Sequence, residues 1–407
     1  MGIQLKQERG QEDLLPSKSK PVRVMIVAGE ASGDQHARAL VEALKKLSPE
    51  CEIFGMGGRQ MRSVGVDTVV DSEESASVMG VVEVIGSLGK IYEAYKDLIS
   101  CAKQRQPDVA VLIDFPDFNF FVARALKKMG IKTFYFIAPQ VWAWRKSRVK
   151  TMRRIIDEVA TIFPFESDFY EKNGVSASFV GHPFAYRAPL SKSAVQLREG
   201  FELDPLRPVV AFLPGSRHGE ISRLLTPMLE SLRIISKVRP GVQAILPVAD
   251  SLNVEEIREA LPEDLNIKVV KGQAREVLAI ADVAVLASGT VTMEAALAQV
   301  PSVVVYKLAP FTYFVAKRLV KGVNYIAMPN LILKKKVYEE LIQDEATPEM
   351  ISVSLERMLG DEGLRLSMKE ELAKVKEKLM VDGDVGHTAA SRAAERVLEL
   401  AKAGEDT

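Results

Sequence analysis

Two apolar patterns alternate along this chain. Short, mainly apolar runs, most of them rich in β-branched or aromatic residues, occur at Val22–Ala28, Cys51–Met56, Val109–Ile113, Thr133–Ile137 and Val159–Ile162. Such runs predict parallel strands buried on both faces. Between them, apolar residues recur at helical spacing. Ala37, Leu40, Val41, Leu44 and Leu47 mark one helix that packs its apolar stripe on a sheet. Ile91–Gln104 and Phe120–Met129 mark two more. The pattern then begins afresh. It predicts a strand over Val209–Leu213, a helix over Ile221–Lys237, a strand over Val242–Pro247, a helix over Val254–Leu261 and a strand over Ile267–Val270. A last unit follows: a β-type run ending at Ala287, the turn Ser288-Gly289-Thr290, a helix carrying Glu294, and a β-type run from Pro301. Pro348–Ala403 is mostly helical by composition.

Repeated strand–helix units predict an α/β fold, a parallel sheet with helices on both faces. Two series predict two Rossmann-like domains. The joint falls near Phe184–Pro208, which is proline-bearing and weakly patterned. The pattern divides the chain into a tail at 1–20, a first domain at 21–188, a second at 189–365, and a helical segment at 366–407 that packs back across both. Ligands of open α/β sheets bind beyond the C-terminal strand ends. Two facing domains bring both sets of loops into one cleft, the geometry for joining two substrates.

Composition narrows the class. A chain of 407 residues exceeds one ordinary core, and 47% apolar content with 54 basic against 54 acidic residues is that of a globular protein. Neither disorder nor nucleic-acid binding fits this balance. Cys51 and Cys101 have no paired spacing, which predicts a reduced, cytosolic protein without a zinc site. Gln4–Lys20 lacks the apolar core of a signal peptide and reads as a loose tail. No uncharged apolar run reaches the ~18 residues of a spanning helix, so any membrane contact is expected to be peripheral.

The turns carry the candidate chemistry. Ser288, Gly289 and Thr290 can press backbone N–H groups against an anion at a helix N-terminus. Glu294, about one helical turn in, can reach a ribose diol; otherwise it is a solvated helix carboxylate. Together they suggest a sugar-nucleotide site. Arg217 follows a Pro-Gly-Ser turn, where a guanidinium matches a diphosphate bidentately; the alternative is a surface arginine. Asp114 and Asp117 close an apolar strand and would present carboxylates to the cleft. One could serve as a base, while Asp117 could equally cap the next helix. Gly29, Glu30, Ser32, Gly33 and Asp34 form a further strand–helix turn fit for a phosphate or donor contact. It lacks the Gly-x-Gly-x-x-Gly spacing, and Asp34 could simply favour a helix dipole. His182, in Gly-His-Pro, reads more readily as structural than functional; His36, His218 and His387 show no metal-like grouping.

Trp142, Trp144, Arg145, Lys146, Arg148, Lys150, Arg153 and Arg154 mix aromatic and basic residues. The segment is either a solvated helix face or a contact for an anionic bilayer. The apolar stretch Val78–Leu88 is core, the lining of an acyl-chain slot, or a segment that dips into the membrane interface. Phe311, Tyr313, Phe314, Lys317, Arg318 and Lys321 form a second candidate face.

Seven motifs occur in one order: Val27–Asp34, Met79–Val84, Ile113–Asn119, Pro139–Arg145, Leu213–Arg217, Ala287–Thr290 and Pro329–Leu331. In this the chain strongly resembles the lipid-A-disaccharide synthase family, inverting glycosyltransferases of the two-domain GT-B fold, over about residues 22–400. One departure is Gln140, where the family often has serine. The resemblance implies a UDP-2,3-diacylglucosamine donor and a 2,3-diacylglucosamine 1-phosphate acceptor. The products it implies are a β-1′,6-linked lipid disaccharide and UDP. It implies no cofactor and no metal, since helix ends and basic side chains neutralise the leaving diphosphate. It favours Asp114 as the base. It gives Asn330 a contact to UDP or the donor sugar, against a plain turn role. It also implies a homodimer and a place on the anionic cytoplasmic face of a Gram-negative-type inner membrane. Two other readings compete. A GT-B-fold epimerase of UDP-N-acetylglucosamine would explain the nucleotide turn but would not need Trp142-Ala143-Trp144-Arg145. A non-catalytic lipid or nucleotide-sugar binding module would tolerate loss of Asp114.

Overall fold

The structure is a computed structural model that describes residues 20–73, 84–143, 146–309, 324–381 and 386–403, with only the backbone of 84–88. The tail at 1–19, the Met79–Val84 motif, the apolar stretch Val78–Leu88, Trp144, Arg145 and the segment from Phe311 to Lys321 lie outside the described residues or their side chains.

The apolar runs become strands. The first sheet contains β1 (Arg23–Ala28), β2 (Glu52–Gly57), β3 (Asp67–Asp71), β4 (Val109–Ile113), β5 (Lys132–Phe136), β6 (Glu158–Thr161) and β7 (Ala177–Phe179). Its order is β3-β2-β1-β4-β5-β6-β7, and every pairing is parallel. The second contains β8 (Val209–Leu213), β9 (Gln243–Val248), β10 (Ile267–Lys271), β11 (Val283–Ala287), β12 (Ser302–Tyr306) and β13 (Glu339–Ile342). Its order is β10-β9-β8-β11-β12-β13, again all parallel. Both sheets reverse winding direction beside their first strand, between β1 and β4 and between β8 and β11. Those central strands are covered by helices on both faces and therefore carry no polar side chain in β4, β8 or β11.

Each lobe has its own core. On one face of the first sheet, Leu40 and Leu44 of helix Ala31–Leu47 meet Ala393 and Val397 of helix Ala389–Lys402. On the other, Leu98 and Ala102 of helix Val84–Arg105 pack with Phe118, Val122 and Leu126 of helix Pro116–Lys128. Helix Glu362–Leu379 adds Met368, Leu372, Val375 and Leu379 to the second core. A boundary at residue 366 therefore cuts a helix that belongs to the second lobe, and the chain crosses back only after Leu379. That crossing is tied to the joint. His182 N–H donates to the Leu379 carbonyl at 2.9 Å. Val381 N–H and Arg392 Nη1 both donate to the Tyr186 hydroxyl at 2.9 Å. Cys51 and Cys101 are buried free thiols.

Candidate active site

The two switch points hold the candidate residues. In the first lobe Ala28 pairs with Ile113, so Gly29 and Asp114 leave the sheet side by side. Asp114 and Phe115 adopt left-handed backbone, at φ +47° and +49°. Non-glycine residues persist there only when their surroundings hold them. The Asp114 carbonyl is held by the Tyr135 hydroxyl at 2.6 Å and by Asn119 Nδ2 at 2.7 Å; Asn119 also reaches the Ile113 carbonyl at 3.2 Å. Gly29 gives the loop room: a Cβ there would sit 2.3 Å from the Phe115 ring. Burial lifts the Asp114 carboxyl above its ordinary range, against a backbone N–H bond from Phe115 that pulls it down.

Glu30 is lifted as well, by desolvation first and then by the Asp114 charge, with Arg217 pulling it back. Arg217 belongs to the second lobe. The switch-point loops of both lobes therefore share one electrostatic field across one cleft.

In the second lobe Leu213 pairs with Leu286, so the turns after β8 and β11 emerge together. They line a cavity of about 520 Å³ that gathers Arg217, Ser288, Gly289, Thr290 and Glu294. Gly289, at φ +155°, precedes helix Thr290–Leu297. The amides of Gly289, Thr290 and Val291 have no acceptor among the described residues, whereas Ser288 N–H is spent on the Val305 carbonyl at 3.1 Å. The open donors thus begin at Gly289, one residue later than expected, and Ser288 offers its hydroxyl. Across the cavity, Gly215 at φ +113° leaves no space for a Cβ beside Glu220, whose Oε2 accepts the Ser216 amide at 3.1 Å. Arg217 stands 84% exposed, with one 3.5 Å contact to Glu220. Glu294 is not a solvated helix carboxylate. It pairs with Arg187 at 2.8 Å, and that guanidinium lies 3.5 Å over the Phe184 ring.

Other candidates are placed differently from expectation. Asn330 is fully buried with its amide spent. Its Oδ1 accepts from Val337 and Tyr338 N–H, and its Nδ2 donates to the Tyr338 carbonyl and to Glu340, all at 2.8 Å. Four bonds exhaust its side chain and leave nothing for UDP or a sugar. Ser32 and Gly33 lie in the first turn of helix Ala31–Leu47, not in a phosphate-cradling loop, and Gly33 is buried near Ala28 and Ile113. Asp34 neither serves its own helix nor faces a ligand: it accepts the amides of Gly58 and Gln60 at 2.8 Å and of Met61 at 3.2 Å. Asp117 is not a cap. Phe115 holds that position without a side-chain bond, and Asp117, exposed in the first turn, pairs with Arg148. His182 is structural: its Nδ1 accepts the Phe184 amide at 3.2 Å, and burial holds it down at about 3, so it stays neutral. Trp142 does not face outward. Its indole N–H donates to the buried Glu166 at 3.0 Å and its ring meets Phe165 edge-on at 4.8 Å.

Tyr135, Asn119, Arg187 and Glu220 support the site and were not singled out from sequence. Asn119 gave a signal, a polar residue amid Phe118, Phe120 and Phe121 on a helix. The other three depend on partners 21, 107 and 4 residues away.

Residues 24–392 match the family described as lipid-A-disaccharide synthetase. The chain is 46% identical over 379 residues to the lipid-A-disaccharide synthase of Geobacter metallireducens, covering 93% of this chain and 97% of that one. The chain belongs to the lipid-A-disaccharide synthase family. It is a glycosyltransferase of that family. Solved structures agree on the fold. The UDP-GlcNAc 2-epimerase of Neisseria meningitidis bound to UDP-GlcNAc aligns with TM-score 0.61 at 11% identity, covering 93% of this chain and 99% of that one. The glycotransferase of kitacinnamycin aligns with TM-score 0.61 at 15% identity, covering 94% and 100%. At such low identity they speak for the GT-B fold alone. Among the described residues no helix is long and apolar enough to cross a membrane.

Proposed function

We propose that the chain transfers 2,3-diacylglucosamine from UDP to the 6-hydroxyl of 2,3-diacylglucosamine 1-phosphate, inverting the anomeric centre. The Asp114 carboxylate takes the hydroxyl proton. The acceptor oxygen attacks the anomeric carbon as the bond to the β-phosphate oxygen breaks, and that electron pair leaves with UDP. A buried carboxyl with raised proton affinity suits the base. The Gly289, Thr290 and Val291 amides, the Ser288 hydroxyl and Arg217 meet the charge that grows on the diphosphate. Glu294 accepts from the ribose diol, its other oxygen fixed by Arg187. Glu30, coupled to Asp114 and Arg217, lies between acceptor and donor.

One observation carries this reading: a carboxylate at the β1/β4 switch and a set of open amides at the β8/β11 switch flank one cleft. The test incubates the protein with the UDP donor, with and without acceptor, and reads products by mass. Disaccharide phosphate formed together with UDP, only when acceptor is present, is the expected result. An epimerised sugar nucleotide without acceptor would favour the epimerase reading instead.

The lipid substrates call for a peripheral membrane contact. Exposed Lys146, Lys150, Arg153 and Arg154 supply the cations. Tyr92 and Phe121, 62% and 61% exposed, supply rings beside Lys96 and Arg124. This surface draws the protein to the anionic inner leaflet, and high salt releases it.

A further inference from the structure

Glu166 lies in the first turn of helix Pro164–Lys172 and is only 3% exposed. Its two oxygens meet three donors. Oε2 accepts the Ile162 and Phe163 amides at 3.3 and 3.2 Å, and Oε1 accepts the Trp142 indole at 3.0 Å. The first two bonds close the helix start after β6. The third reaches the loop that follows β5. That loop is held again by the Tyr170 hydroxyl, which donates to the Pro139 carbonyl at 3.1 Å. It begins just after Ile137, a β-branched residue at φ +57°. Such a residue in left-handed backbone is strained and needs outside support. β5 pairs along its whole length with β4, whose end carries Asp114. Among the described residues no cation pairs with Glu166, so this buried carboxyl is there for its hydrogen bonds.

We propose that Glu166 is a positioning residue for the acceptor side of the cleft, fixing the Pro139–Ala143 loop beside Asp114 through the Trp142 indole. The inference rests on Asp114 of the first lobe taking the acceptor proton, as proposed above. Burial pushes the Glu166 carboxyl up to about 7, against the opposing bonds from Trp142, Phe163 and Ile162. The titratable group that couples to it among the described residues is Tyr170, held neutral by its own burial and by Glu166. The nearby Thr161 and Ser167 hydroxyls bond each other at 2.6 Å and carry no charge. Above about pH 7 the ionised carboxylate accepts all three bonds, and its bond to the indole is charge-assisted. Below it a proton competes for an oxygen and the hold on Trp142 weakens. Acceptor binding then suffers while UDP binding does not.

The chain has two tryptophans, so Trp144→Phe leaves Trp142 as the sole indole reporter. Its emission is followed from about pH 5 to about pH 9, with and without Glu166→Gln. The expected result is a spectral shift with its midpoint near 7 that Glu166→Gln abolishes. In the transfer assay, Glu166→Gln raises acceptor KM about tenfold at alkaline pH, as loss of a charge-assisted bond implies, and leaves UDP affinity unchanged. Trp142→Phe reproduces the KM effect. A shift that persists in the glutamine variant, or an unchanged acceptor KM, overturns the proposal. If the parent protein makes no disaccharide, the proposed reaction fails and the emission arm alone decides. A midpoint that glutamine abolishes then sustains the contact, and a flat curve overturns it.

Discussion

Arg217→Ala separates binding from folding. The Arg217 side chain is 84% exposed, and among the described residues its ion pair, with Glu220, is 3.5 Å long. An exposed pair of that kind contributes about 0–1 kcal/mol to stability. Against a diphosphate the same guanidinium forms charge-assisted hydrogen bonds worth about 1.5–3 kcal/mol. At about 1.4 kcal/mol per tenfold, the substitution weakens UDP binding roughly ten- to a hundredfold. Calorimetric titration with UDP reads that loss, and thermal unfolding should move by no more than about 4 °C. Affinity in the parent also falls with added salt, and the variant responds less. Unchanged UDP affinity would remove Arg217 from the diphosphate site. A large fall in Tm would make it a structural residue instead.

Three further outcomes follow from the geometry. Asp114→Asn lowers kcat by about 10²- to 10⁴-fold with UDP affinity retained, read by steady-state kinetics and calorimetry. Gly29→Ala puts a Cβ 2.3 Å from the Phe115 ring, so Phe115 must move and carry the Asp114 loop with it; kcat should fall while UDP still binds. Burial first, then the charges of His36 and Arg187, hold His182 at about 3, while burial and Arg187 hold His36 at about 4. Both stay neutral in the fold when the unfolded chain takes protons below the ordinary 6.5. Stability is therefore lost as pH falls from about 6.5 towards 4, by up to about 1.4 kcal/mol per unit for each histidine. Urea midpoints at pH 7 and pH 5 measure this, and His182→Asn, which keeps an acceptor for the Phe184 amide, should flatten the slope.

Much of the fold was legible because its central strands are buried on both faces and read as apolar runs. β13 was not, since Glu-Glu-Leu-Ile at a sheet edge has no such run, and its Glu340 is recruited by Asn330. β3, with two aspartates in five residues, hid for the same reason. The site was legible where chemistry is local: the turns at Gly215 and Gly289 carry their backbone signal in the glycine itself. It was not legible where a side chain answers to a distant partner. Asn330, Asp34 and Trp142 each looked available in sequence. Each is consumed by groups that only the tertiary fold brings near, Tyr338, Gly58 and Glu166 among them. Glu294 was read as a ribose contact, but its ion pair with Arg187, 107 residues earlier in the chain, was not.

A crystal structure of the protein with UDP and the monosaccharide phosphate acceptor tests the central claim most directly. The account predicts the diphosphate against the Gly289–Val291 amides, the ribose at Glu294, and the acceptor 6-hydroxyl within about 2.6–3.2 Å of the Asp114 carboxylate. UDP lodged away from the β8/β11 switch, or an acceptor hydroxyl turned towards another base, would contradict it.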